Sequence, residues 1–146
     1  MLVTPHVLFG AAIGSSFDKV YLVAPLSVAS HFVLDSIPHL QGFIEVEELE
    51  KKDLLIVFAD VLIALILVTL VSFGSPKWEL IALGAFCAWV PDIHHIIQVL
   101  FGPEKLRRYT KAHKKFHWDK QMKLLPGIAT QILVVAVSLF VILKLS

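Results

Sequence analysis

The chain of 146 residues has a single cysteine, Cys87. One thiol excludes an intramolecular disulfide and a thiolate zinc cluster. Charge is scarce as well. Lys, Arg, Asp and Glu make up 17% of the residues against 57% hydrophobic ones, and the mean hydropathy is +0.78. A soluble domain of this size must cover its surface with polar groups and rarely reaches such values. Several chemical signatures are also missing: a glycine-rich phosphate loop, a serine nucleophile elbow, a CxxCH haem attachment and the zincin HExxH. No cleavable signal peptide is expected, because the first apolar stretch has neither a basic lead nor a clear cleavage pattern.

What the chain has instead is long apolar runs. Leu54–Phe73 carries one charge in twenty residues. As a helix it is roughly 30 Å long, the thickness of a bilayer core. Trp78–Phe101 and Leu124–Leu143 are similar, and Val20–His39 is apolar until its last third. His6–Phe17 is about half a span long and predicts a short or re-entrant helix. The expected fold is an all-α integral membrane protein in a single domain, residues 1–146, with about four spanning helices and this short N-terminal one.

Net charge is near zero, but its distribution is lopsided. Eight of the thirteen Lys and Arg lie between Gly102 and Lys123. Basic loops stay in the cytoplasm, so 102–123 is expected as a cytoplasmic loop or surface helix of an inner or plasma membrane protein. Alternation then puts the acidic loop Gln41–Asp53 on the same side, with Asp18, Lys19 and Lys77 in outer turns. The same alternation brings the C-terminal part of Val20–His39, the VPDIHH segment, Asp60, His6 and the 113–117 pair to the cytoplasmic half.

All seven histidines sit in short polar islands. His31, Asp35 and His39 are spaced i, i+4, i+8, one stripe of a helix that Pro38 weakens or ends. In VPDIHH, Asp92 and His95 are i, i+3 and share a face, with Pro91 loosening the backbone before them. His94 points elsewhere and is left open as a supporting or surface residue. His113 and His117 form an HxxxH pair able to chelate one metal on a helix. His6 completes the set. Imidazole with carboxylate is the ligand set of zinc, manganese or iron, and ionisable groups in membrane helices mark function. A polar stripe bonding to neighbouring helices, or histidines meeting lipid head groups, is the plainer alternative.

Asp60 stands alone among apolar residues and is a candidate ligand, proton acceptor or histidine partner. Gly10 and Gly14 read as a small-residue packing face, and Thr130 and Gln131 as interhelical hydrogen-bond partners. The basic, aromatic-flanked stretch Lys105–Lys123 fits anionic lipid better than nucleic acid, and no nucleic-acid partner is expected. Lys114 and Lys115 are its candidates for holding an anionic head group.

These motifs resemble those of bacterial inner-membrane proteins described as membrane-bound metal-dependent hydrolases, the LexA-binding inner-membrane family among them. That family carries an early His, a PD-x-D-H motif, a paired-His motif and an H-x-x-x-D motif between hydrophobic helices. The matching residues are His6, Asp92 with His95, His113 with His117, and His31 with Asp35. His94 replaces the family's second Asp, the paired histidines are spaced differently, and H-x-x-x-D precedes the PD motif. HFVLDSIPH also resembles a shortened H-x-x-x-D…P-x-H segment of zinc-dependent phospholipase C and its nuclease relatives, which use clustered zinc ions. The TPH start, SHFVLDSIPH and the FHW-to-TQ segment together are similar to small bacterial membrane proteins.

The expected activity is metal-assisted hydrolysis of a phosphoester, on a lipid or lipid-linked substrate at the cytoplasmic face. The expected ion is zinc, with manganese or iron as alternatives and room for more than one. Expected ligands are His6, His31, Asp35, His39, Asp92, His95, His113 and His117, with Asp35 or Asp60 accepting the proton. The rivals are a metal-ion or proton carrier and a non-catalytic metal- or haem-binding membrane protein.

Overall fold

The computed structural model describes residues 1–40, 51–118, 120 and 122–145, and among these every regular element is helical. In chain order they are α1 (Val3–Ser16), α2 (Val20–Ser36), α3 (Lys51–Ser72), α4 (Trp78–Trp89), α5 (Ile93–Phe101), α6 (Arg107–His113) and α7 (Leu124–Leu145). Residues 41–50, most of the acidic loop expected to face the same side as the basic one, lie outside the described residues. Three stretches are long and apolar enough to cross a membrane: Asp53–Ser72, Trp78–Phe101 and Leu124–Leu145. Val20–Ser36 is a shorter apolar helix of 17 residues.

The short α1 is the centre of the bundle, packed by α2, α3, α4 and α7. Ten of its fourteen residues are buried, and Leu8 and Ala11 have no exposed surface. Ala64, Ile81, Ala85 and Ile142 close the core around it. Large side chains such as Leu55, Phe58 and Leu70 of α3, and Leu125, Leu133 and Leu143 of α7, point outward. Among apolar surroundings there is little hydrophobic drive between helices, so association rests on close packing of small residues. Gly10 and Gly14 supply it as expected. A Cβ on Gly10 would run into the Gly84 carbonyl and Ala88 of α4, and one on Gly84 into the Gly10 carbonyl.

At its N-terminus α1 has no capping side chain of its own. Its first amides are bound from neighbouring helices instead. Leu2 N–H donates to Gln131 Oε1 at 3.0 Å, and Val3 and Thr4 N–H donate to Asp60 Oδ2 at 2.6 and 3.3 Å. Gln131 is thus the interhelical partner it was expected to be. Thr130 bonds back to Pro126 O within α7.

Three local breaks shape one end of the bundle. Pro38 holds Ile37 extended (φ −78°, ψ 143°), so α2 stops at Ser36 and His39 leaves the helical stripe. Pro91 sits in a 3₁₀ turn, Val90–Asp92, between α4 and α5. Beyond α5, Gln98 Nε2 donates to the carbonyls of Pro103 and Lys105 at 2.9 and 3.0 Å, tying down the turn that leads to α6. Within the basic stretch Arg107–His113 form a helix and Lys114–Phe116 a 3₁₀ turn, and Trp118 N–H donates to Asp35 O at 2.8 Å.

Candidate metal centre

Asp35, fully buried in the last turn of α2, is the hub. Its Oδ1 lies 3.1 Å from His6 Nε2 and 3.0 Å from the amino group of Met1. Its Oδ2 lies 3.1 Å from His31 Nε2, 3.2 Å from His113 Nε2 and 3.1 Å from His117 Nε2. These imidazoles come from α1, α2, the end of α6 and the segment after it. Helical i, i+4 spacing explains only the His31–Asp35 pair. His113 and His117 reach the same oxygen because the 3₁₀ turn Lys114–Phe116 folds them together, with rings stacked 4.9 Å apart.

Tautomers follow from the partners. A carbonyl only accepts, so His31 Nδ1–H donates to Ala88 O at 2.8 Å, His39 Nδ1–H to Ile37 O at 2.7 Å and His94 Nδ1–H to Pro91 O at 2.8 Å. In its neutral form each ring then turns an Nε2 lone pair away from its carbonyl. This is the arrangement in which a backbone carbonyl orients a metal-binding histidine. His39 Nε2 is buried without a hydrogen-bond partner. Burial, reinforced by the nearby amino terminus, keeps that imidazole below its ordinary pKa and so in the neutral form.

For His31 the consequence is sharper. Its Nε2 lone pair faces both the Asp35 carboxylate and His113 Nε2, the latter at 3.2 Å. A neutral His31 has no Nε2–H to give that carboxylate, and three nitrogens on one carboxylate oxygen exceed its two lone pairs. A proton on His31 relieves the first conflict, and a metal cation among the donors relieves both. Four-coordinate zinc with bonds of about 2.0–2.1 Å sets its ligand atoms about 3.3 Å apart, close to the spacings here. The donor set fits a borderline divalent metal.

A second carboxylate adjoins. Asp92 Oδ1 lies 3.5 Å from His31 Nε2 and 3.9 Å from His113 Nε2. Helical spacing alone separates His94 from Asp92 and His95. In the structure the 3₁₀ turn at Pro91 changes the angular step, and His94 is buried with its ring 3.9 Å from that of His95. Tyr109 of α6 donates to the same Pro91 carbonyl at 3.1 Å. Four triads have donor atoms mutually within 4.8 Å: His6/His31/Asp92, His31/Asp35/His113, Asp35/His39/His117 and Asp92/His94/His95. All seven histidines and both aspartates are in them. Sequence spacing left His94 open, and the proline turn beside it is the signal that would have included it.

Asp60 lies apart from these triads. Its carboxylate receives the Val3 and Thr4 amides and, at 2.6 Å, the Thr4 hydroxyl, so its oxygens are engaged in holding α1. Lys114 is half-buried and Lys115 exposed, both in the turn that joins His113 to His117.

Fold and site together define a class: an apolar helical bundle with a buried histidine–aspartate centre at one end. The chain matches no known protein family, curated protein or solved structure.

Proposed function

We propose that the protein is a membrane-embedded, metal-dependent hydrolase that cleaves a phosphoester of an anionic lipid or lipid-linked substrate at the cytoplasmic face. The observation that carries this reading is the convergence of four imidazoles on the buried carboxylate of Asp35, in a geometry suited to a divalent cation. Zinc suits imidazole and carboxylate ligands best, with manganese and iron as alternatives. Val20–Ser36 serves as a fourth, shorter crossing beside the three long apolar helices. The basic stretch 102–123 adjoins the centre through His113 and His117, and the positive-inside rule assigns that end to the cytoplasm.

A bound divalent ion would supply an acidified water and polarise the phosphoryl group. The chain's own residues do the rest. His31, Asp35 and His113 would hold the ion, with His117 on the same carboxylate oxygen and His39 next to it in the adjoining triad. Ala88 O and Ile37 O fix the rings of His31 and His39. Asp35 Oδ1, paired with His6 Nε2 at 3.1 Å, accepts the proton and shares it with that imidazole. Lys114 and Lys115 meet the anionic head group. A carrier needs ligands along a path to the far face, whereas the far half of α1 packs through Gly10, Ala11 and Gly14.

The test is elemental analysis of detergent-purified protein alongside turnover of an anionic phospholipid and an aryl phosphodiester. Metal and turnover together, with turnover and the ion of the Asp35 position lost in Asp35→Asn, are the expected result. Gradient-driven metal uptake into liposomes with no hydrolysis would replace the hydrolase with a carrier.

A further inference from the structure

The donor count exceeds what one ion can use. A catalytic zinc takes three protein ligands and keeps a position open, yet seven imidazoles and two carboxylates are gathered here. The triads overlap, and three of their six pairings compete for a shared residue. His31/Asp35/His113 and Asp92/His94/His95 are among the pairings that do not: they have no residue in common, and both can be filled at once.

The second of these triads has the marks of a prepared site. His94 is 3% exposed, and its Nδ1–H is held by the Pro91 carbonyl, which fixes the ring and leaves Nε2 as the donor. Tyr109 secures the same carbonyl from α6, so the support comes from two elements. The 3₁₀ turn Val90–Asp92 brings the carboxylate round to the two rings that follow it. Two imidazoles and one carboxylate with positions left over suit a borderline divalent cation such as zinc or ferrous iron. The site also adjoins the first, since Asp92 Oδ1 is 3.5 Å from His31 Nε2.

We infer that Asp92, His94 and His95 form a second divalent-cation position beside the Asp35 centre, with His94 a ligand in its own right. The inference rests on the reading of the cluster as a metal centre. It deepens that reading by making the centre at least dinuclear, with two cations to clamp one phosphoryl group.

The full-length protein in detergent, loaded with Zn²⁺, should hold two ions per chain by elemental analysis. Co²⁺ loaded in place of Zn²⁺ should report both positions by visible absorption. Substituting His94→Gln together with His95→Gln should lower the count from two to one and leave the Co²⁺ band of the Asp35 position. A wild-type count of one, unchanged in that double variant, overturns the second position and leaves the proposed hydrolase standing. A wild-type count of zero overturns both. Should the double variant fail to fold, the wild-type count decides, and His94→Asn, which keeps a small polar donor, replaces it.

Discussion

The two halves of α1 are buried by opposite means. Its first turns carry His6 and Thr4 into a polar end where His6 Nε2, the Thr4 hydroxyl and the first amides meet Asp35, Asp60 and Gln131. Its later turns carry Gly10 and Gly14 into an interface where the partner backbone leaves no room for a side chain. At the far tip the chemistry is different again, with Lys77 Nζ 2.9 Å from the exposed Asp18 carboxylate and 3.0 Å from Ser15 O. Burial at one end demands partners, and at the other it demands small volume. The same helix therefore fails in two distinct ways.

The largest effect should come from the polar end. Asp35→Asn leaves the packing face intact but replaces a carboxylate that several imidazoles share. The ion of the Asp35 position should be lost, leaving at most that of Asp92, His94 and His95, and phosphoester turnover should drop about 100-fold or more, while the helical circular dichroism signal is kept. Full metal content in a folded variant would break the contrast between the two halves.

Next is the packing face. Gly84→Val places branched carbons where the Gly10 carbonyl sits. Overpacking of this kind costs about 1–3 kcal/mol, to be read as a lowered unfolding midpoint in detergent. Metal affinity per folded molecule should not change. Loss of affinity without loss of stability would mean that the two halves are one unit.

Asp60→Ala tests the seam between them. It strips two amides and a hydroxyl of their acceptor, at about 1–3 kcal/mol for buried groups left unmatched. The unfolding midpoint should fall while the Asp35 triad keeps its metal. A stable variant that has lost only turnover would instead make Asp60 catalytic.

The smallest effect belongs to the far tip. The Lys77 hydrogen bond holds the exposed Asp18 carboxyl below its ordinary pKa. Its contribution is therefore complete above the unfolded carboxylate value of about 3.9 and fades as pH falls through the lower folded value. At neutral pH Asp18→Asn should leave the unfolding midpoint within error, as exposed pairs usually do. A clear loss there would give the far tip a structural weight that its exposure argues against.

Much of this was legible in advance, for identifiable reasons. Leu54–Phe73 declares itself as helix because an unbroken apolar run has one economical way to satisfy its backbone. The clustering of His31, Asp35, Asp92 and the 113–117 pair marks the centre because imidazoles are rare in apolar sequence. His94 was not legible: a 3₁₀ step at Pro91 defeats the helical spacing that set it apart. Nor was the central place of α1, since half a span of small residues suggests an edge as readily as a core. Asp60 reads as a lone acid until its partners, Val3 and Thr4 on another helix, are known.

The length of α1 also bears on how the molecule comes together. Fourteen residues make a rod of about 21 Å, short of a hydrocarbon layer of about 30 Å. Lipid could neither match that length nor bind the first amides that Asp60 and Gln131 receive. The helix therefore owes its place to the walls that α3, α4 and α7 form around it. His6 is carried on this helix, so the ring of imidazoles around Asp35 is complete only while α1 is seated among its neighbours.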